Sequence, residues 1–216
     1  MYKEVENFIT AAECKDLITL CGQLEEEPSG YMTDHRILPS GELDMDIHRD
    51  EKILKATYHQ LPNDHPINQR LWITGCDWAE ENNYSMSCSS GSAIQKYESG
   101  GHFAWHTDGF NEADRFTLSI QLSDSNDYEG CEVQFGEDTT GANRTTSQDI
   151  YHDWELTQKS VKSVHTLSRN VGAMSLYDAF IYHRVTPLTK GTRYVLLHWF
   201  REYPEHKEDK ITWSDG

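Results

Sequence analysis

From Tyr84 onward the chain is a succession of short β-type runs divided by glycine or polar clusters, and this texture limits the fold more than any other feature. The runs fall at 84–98, 102–108, 115–123, 131–136, 172–178, 180–185 and 192–201. The clearest is 115–123, where Phe116, Leu118, Ile120 and Leu122 alternate strictly with Thr117, Ser119 and Gln121. Successive strand side chains point to opposite faces, so one face of this run is apolar and the other polar. Many short strands after a helical first third predict a sandwich or barrel with helices packed outside. The apolar face would then meet the helices, and the polar face would line a wet interior pocket.

The helical part has its own signals. Thr10-Ala11-Ala12-Glu13 is a capping-box pattern, followed by an apolar stripe at Leu17, Ile18 and Leu20; Gly22 and Pro28 close it, with Glu25–Glu27 as a solvated run. Leu43, Met45 and Ile47 alternate with Asp44 and Asp46 as on a half-buried strand. A second helix is expected from about Asp64, with Pro66 in its first turn, Ile67, Leu71 and Trp78 on its apolar face, and Asn82-Asn83 as its end. The 137–170 segment is polar, weakly patterned and long, and reads as an insertion or lid. At 216 residues the chain can build one sizeable core but not two ordinary domains and a linker. A single domain over 1–216 is expected, with 1–83 as helical support and 84–201 as the β core.

Three features of the β region carry chemistry. His106 and Asp108 are two apart, so on a strand both can reach one metal from one face. Alone, an H-x-D is more often structural. His183 supplies a second histidine within the β-type run Ile181–Val185. Two histidines and a carboxylate form the facial triad of non-haem Fe(II) oxygenases, which leaves open positions for cosubstrate and O2. Arg193 follows ten residues after His183, and on a strand it shares a face with Val195, Leu197 and Trp199. An arginine aimed into an apolar barrel is costly unless an anion meets it, and a bidentate carboxylate is its natural partner. The distal carboxylate of 2-oxoglutarate is such an anion.

The segments Tyr97–Gly100, His106-Thr107-Asp108 and His183-Arg184-Val185-Thr186-Pro187-Leu188-Thr189-Lys190-Gly191-Thr192-Arg193 resemble the prolyl 4-hydroxylase family of 2-oxoglutarate/Fe(II) dioxygenases, including its bacterial and phage-type hydroxylases. Phe8–Cys14 resembles that family's N-terminal entry, and Tyr128–Phe135 its G-G-E-L strand, so the likeness spans nearly the whole chain. It implies a mainly β fold with flanking α-helices: a double-stranded β-helix, or cupin-like jelly roll. It implies iron on His106, Asp108 and His183, and the distal carboxylate of 2-oxoglutarate on Arg193. Tyr97 takes the place of a hydroxyl that assists there, and Gln121 a position that is often aromatic. Val133, Leu197 and Trp199 would form pocket wall. Ascorbate as reductant is a further implication. Two departures bear on substrate choice: Cys131 stands where the family has a second glycine, and the 137–170 connection is longer than usual.

Other classes lose their markers. No G-x-S-x-G, Walker or dinucleotide fingerprint occurs, and His102/His106 lack the glutamate of a zincin. His102 reads as secondary to the site or as surface. His35, His48, His59, His65, His152, His165, His198 and His206 have no patterned partners and read as structural or solvated; Trp72, Trp78 and Trp154 read as packing. Five cysteines without a C-x-x-C give neither a disulfide framework nor a zinc ribbon. Reduced thiols, no apolar leader after Met1 and no long apolar run fit a cytoplasmic enzyme away from membranes. The net charge of −17 opposes phosphate backbones, so no nucleic-acid partner is expected. Consistently, six positions beyond Arg193 stands Trp199, where the nucleic-acid demethylase branch would place an arginine. The expected substrate, besides O2, is a peptide or protein side chain, prolyl foremost. A free amino acid or other small molecule is the alternative, and a non-catalytic ligand-binding jelly roll a more distant one. Oligomeric state is left open by the sequence.

Overall fold

In the computed structural model, residues 1–28, 31–37, 43–48, 53–84, 88–109, 114–141 and 154–202 are described. β1 (Tyr2–Val5) leads into α1 (Ala11–Cys21), then β2 (Glu27–Pro28), β3 (Tyr31–Ile37), β4 (Leu43–His48) and β5 (Ile53–Gln60). α2 (Pro66–Glu81) follows, then β6 (Cys88–His106), β7 (Asp114–Gln121), β8 (Glu129–Gly130) and β9 (Val133–Asp138). α3 (Trp154–Ser160) precedes β10 (Val161–Thr166), β11 (Met174–Asp178), β12 (Tyr182–Val185), β13 (Leu188–Lys190) and β14 (Arg193–Arg201).

The helices start and stop where their chemistry says. The Thr10 side chain accepts from the Glu13 amide and the Glu13 carboxylate accepts from the Thr10 amide, a complete capping box that stabilises α1 by about 1 kcal/mol. Pro66 occupies the first turn of α2, where its missing N–H is not needed, and the His65 ring caps that turn by accepting from the Ile67 amide.

The principal sheet is antiparallel and runs β1-β11-β7-β14-β6-β12-β9-β10, with β5 also on β6. Its two ends meet through side chains: Glu4 of β1 accepts from the Ser168 amide at 2.7 Å and lies 2.7 Å from the His165 ring of β10. β6 is the pivot. Its first half pairs with β14 (Tyr97 opposite Arg193) and its last residues with β12 (His106 opposite His183). The sequence divides this stretch into two runs, whereas the structure carries one 19-residue strand through both. Gly100, at φ 89°, lies between the two pairing regions and supplies a backbone conformation that side-chain-bearing residues rarely adopt.

The alternation of 115–123 sorts the two faces. Phe116, Leu118, Ile120 and Leu122 pack with Cys14, Leu17, Leu71 and Trp78 of the helices, while Thr117, Ser119 and Gln121 turn inward. α2 approaches closely because residue 75 is glycine: a Cβ there would lie 2.3 Å from the Phe200 ring. The 137–170 reading needs correction in part. β9 runs to Asp138, α3 covers 154–160, and β10 extends the sheet by pairing with β9. The sequence hid β10 because it is an edge strand with exposed Lys162, Ser163 and Val164, so only one of its faces needed apolar residues. The rest of the lid expectation, 142–153, lies outside the described residues.

Among the histidines read as structural or solvated, His65 caps a helix, His165 meets Glu4, and His59 lies 3.2 Å from Thr57 Oγ1. The side chains of His35, His48 and Trp154, and all of His152 and His206, lie outside the described residues. His198 is the energetically important member. Ser92 Oγ donates to Asn68 Oδ1, so His198 Nδ1–H must donate to Ser92 Oγ at 2.6 Å, while Nε2 is buried with no partner among the described residues. Burial lowers this imidazole's pKa from 6.5 to about 4. As pH falls through that window the unfolded chain takes up a proton that the folded chain refuses, so stability decreases. The expected loss from this one group is about 3 kcal/mol between pH 6.5 and 4. Denaturant titrations at several pH values should show a flatter acid limb in His198→Asn than in the native chain; parallel curves would remove His198 as the cause.

Candidate active site

The β6–β12 register builds the site. His106 and His183 are cross-strand partners, and their ring centroids stand 4.1 Å apart. Asp108 lies just past the end of β6, where Thr117 of β7 donates to its Oδ2 at 2.6 Å. That bond leaves Oδ1 facing the histidines, 3.7 Å from His106 Nε2 and 3.6 Å from His183 Nε2. Each imidazole is set by its own strand: His106 Nδ1 lies 2.8 Å from the Ala104 carbonyl and His183 Nδ1 3.0 Å from the Ile181 carbonyl. A ring nitrogen that faces a carbonyl carries the hydrogen, so both Nε2 atoms point into the cluster.

Electrostatics favour the ligating states of His106 and Asp108. Burial, helped by His183, drops the His106 pKa to about 3, so this ring is neutral at physiological pH. Burial would raise the Asp108 carboxyl, but the charge and hydrogen bond of His183, with His106 and Thr117, outweigh it and hold the group well below the carboxylate range. Burial opposes charge on His183 too, yet Asp108 wins and raises it. The three donor atoms lie within 4.8 Å of one another. Asp108 thus favours a proton on His183 that a metal would displace, and the two imidazole nitrogens with one oriented carboxylate oxygen then suit a divalent transition metal with positions left for other ligands. The donor set fits Fe(II).

Around this cluster lies a pocket whose walls include Tyr58, Phe103, Val133, Tyr177, Leu197 and Trp199. Arg193 lies on the same pocket, and β14 presents Arg193, Val195, Leu197 and Trp199 on one face as its alternation requires. Arg193 is 4% exposed, and among the described residues no carboxylate pairs with it. Its Nε donates to Gln121 Oε1 at 3.0 Å, and its guanidinium lies over the Tyr97 ring at 5.4 Å. A buried cation with uncharged partners is costly unless an anion joins it. Tyr97 lines the pocket, but its hydroxyl donates to Gln95 Oε1 at 2.7 Å. Gln121 reaches the site through Arg193 and is not itself among the lining residues. His102 stays apart, its Nδ1 3.0 Å from the Gly100 carbonyl.

Cys131 keeps the glycine-like backbone of the position it occupies. Its φ is 53°, next to Gly130 at 77°, where a Cβ would meet the Pro187 carbonyl oxygen at 2.2 Å. The left-handed conformation costs a cysteine roughly 1–2 kcal/mol, and it sets Sγ 3.9 Å from Arg193 Nη1.

The sequence gives no role to Tyr58, Gln95 or Tyr177, and places Thr117 only on a pocket-lining face without its bond to Asp108. Thr117 was detectable as an inward residue of the alternating run. Tyr177 enters because it pairs with Thr117 across β11 and β7, a register that no local pattern reveals.

Residues 92–201 match the family model of the 2OG-Fe(II) oxygenase superfamily, and the chain belongs to that family. Membership implies Fe(II) and 2-oxoglutarate. A PKHD-type hydroxylase of Pseudomonas fluorescens is 30% identical over 154 residues, covering 65% of this chain and 58% of that protein. A PKHD-type hydroxylase of Synechococcus is 29% identical over 120 residues, covering 54% and 44%. The chain thus spans about half the length of these curated relatives. Among solved structures, a Pseudomonas putida prolyl-4-hydroxylase aligns with a TM-score of 0.60 at 12% identity, covering 94% of this chain and 92% of that one. The viral collagen prolyl hydroxylase of Paramecium bursaria Chlorella virus-1, in complex with 2OG, aligns at 0.57 and 13% identity, covering 94% and 96%. At such identities these structures share the fold.

Proposed function

We propose that the chain is a 2-oxoglutarate- and Fe(II)-dependent dioxygenase that hydroxylates a peptide or protein side chain, with the prolyl ring as first candidate. The observation that carries this reading is the combination, on one pocket, of the His106–Asp108–His183 donor set and a buried Arg193 without a carboxylate partner. In it His106, Asp108 and His183 hold iron, and Arg193 takes the distal carboxylate of 2-oxoglutarate. Iron with 2-oxoglutarate supplies oxidative decarboxylation coupled to insertion of oxygen into a C–H bond. The protein's own part is to orient and to exclude water. Thr117 fixes Asp108, the Ala104 and Ile181 carbonyls fix the imidazoles, and the walls at Val133, Leu197 and Trp199 keep the reacting volume dry. Ascorbate as reductant belongs to the same reading.

The peptide assignment draws on the neighbours named as prolyl hydroxylases, on the −17 charge, which disfavours nucleic acid, and on Tyr58 and Trp199. These two rings meet edge to face at 6.0 Å beside the metal-binding cluster and offer an aromatic corner against which a saturated ring can pack. The test is succinate release from 2-oxoglutarate with Fe(II) over proline-containing peptides, free amino acids and alkylated single-stranded DNA. Peptides should gain about 16 mass units per turnover, one oxygen atom. Turnover of DNA alone would overturn the peptide reading. Turnover of free amino acids alone would move it to the small-molecule class.

A further inference from the structure

Gln121 is fixed at both ends. Its Oε1 accepts from Arg193 Nε at 3.0 Å, and its Nε2 donates to the Ser123 carbonyl at 3.0 Å and to the Tyr128 hydroxyl at 3.1 Å. These contacts decide the amide's orientation: flipped, it would set its NH2 against the guanidinium and its oxygen against the Ser123 carbonyl. Tyr128 is braced in turn. Arg169 donates from Nη2 to its backbone carbonyl at 3.2 Å and from Nε to its hydroxyl at 3.3 Å, and covers the ring at 4.5 Å. Gln121 and Tyr128 are buried, while Arg169 is half-buried at the other end of the chain of contacts. A second neighbour of the Arg193 guanidinium on this side, Cys131, is also uncharged as a thiol, since burial raises its pKa.

We infer that Gln121 is a positioning residue: it aims Arg193 into the pocket without neutralising it, and this uncharged clamp, braced by Tyr128 and Arg169, makes the site select a 2-oxo acid that carries a second carboxylate. The inference rests on the dioxygenase reading and adds a selectivity device to it. A carboxylate at 121 would have nearly the same shape but would pair with Arg193 and compete with the ligand. It would also lose the donor that Ser123 and Tyr128 accept from. The amide holds one guanidinium N–H and leaves the cation's net charge for the incoming anion.

The experiment is calorimetric titration of the Mn(II)-loaded chain with 2-oxoglutarate and with 2-oxopentanoate, which has the same chelating end and no distal carboxylate. Gln121→Glu should weaken 2-oxoglutarate by tenfold or more, about 1.4 kcal/mol, and leave 2-oxopentanoate within about twofold. Arg169→Met should weaken 2-oxoglutarate in the same selective way by a smaller factor. General damage to the pocket would weaken both acids alike, and that result, or an unchanged preference in Gln121→Glu, overturns the inference alone. A native chain that shows no preference for 2-oxoglutarate overturns the dioxygenase reading and the inference together.

Discussion

His183→Ala abolishes metal-dependent succinate formation and reduces Mn(II) affinity beyond the ~10–100-fold that loss of an outer partner of a metal ligand costs. The expectation follows from how little else the cluster can offer. Among the described residues only His106, Asp108 and His183 form a group of three or more donors, and their spacing comes from one cross-strand pair and one strand end. Removing His183 leaves two ligands and takes from Asp108 the neighbour that most depresses its pKa. Thr117→Val makes a graded comparison. It deletes only the hydroxyl that holds Asp108 Oδ2, so metal affinity should fall within that ~10–100-fold range while the ligand set stays whole. Near-ultraviolet circular dichroism should show both variants folded, since the apolar packing of β7 lies on the opposite face, against α1 and α2. Full succinate formation in folded His183→Ala would remove His183 from the metal-binding set.

β7, one of the strands that build this site, is easy to see in sequence because it has one face against helices and one toward a pocket. Phe116, Leu118 and Ile120 alternate with Thr117, Ser119 and Gln121 for that reason. The H-x-D pair is local and needs no tertiary knowledge. His183 was reachable only as a residue type in a β-type run, and its place opposite His106 depends on a register that no local pattern encodes. β10 was hidden because an edge strand does not have to bury both faces. The same limit explains Gln121. Its polar, inward position was legible, but its contacts with Arg193, Tyr128 and Ser123 join three segments that are distant in sequence or separated by a turn. Tyr97 shows the reverse. Its position on β6 opposite Arg193 followed the resemblance, whereas its hydroxyl turns to Gln95 because both lie on one face of β6, two residues apart.

Arg193→Ala weakens 2-oxoglutarate binding to the Mn(II)-loaded chain by roughly 30- to 5000-fold, the factor that corresponds to the 2–5 kcal/mol lost when one partner of a buried, hydrogen-bonded charge pair is removed. Arg193 is 4% exposed, so water supplies little of the screening that makes surface pairs weak. Its strand neighbours on the pocket face, Val195 and Leu197, are apolar and cannot replace it. Lysine is a partial substitute. It restores charge but not the planar fork, and it lacks the Nε–H that Gln121 Oε1 accepts. Arg193→Lys should therefore fall between the native chain and the alanine variant. Mn(II) affinity should change little in either, because none of the three donor residues contacts Arg193 through a hydrogen bond or ion pair given by the structure. In alanine the native preference for 2-oxoglutarate over 2-oxopentanoate should disappear, since no other arginine or lysine stands among the described lining residues to pair with the distal carboxylate. An Arg193→Ala protein that binds 2-oxoglutarate as tightly as the native chain would mean that the buried guanidinium serves the β14–β6 pairing and takes no part in cosubstrate recognition.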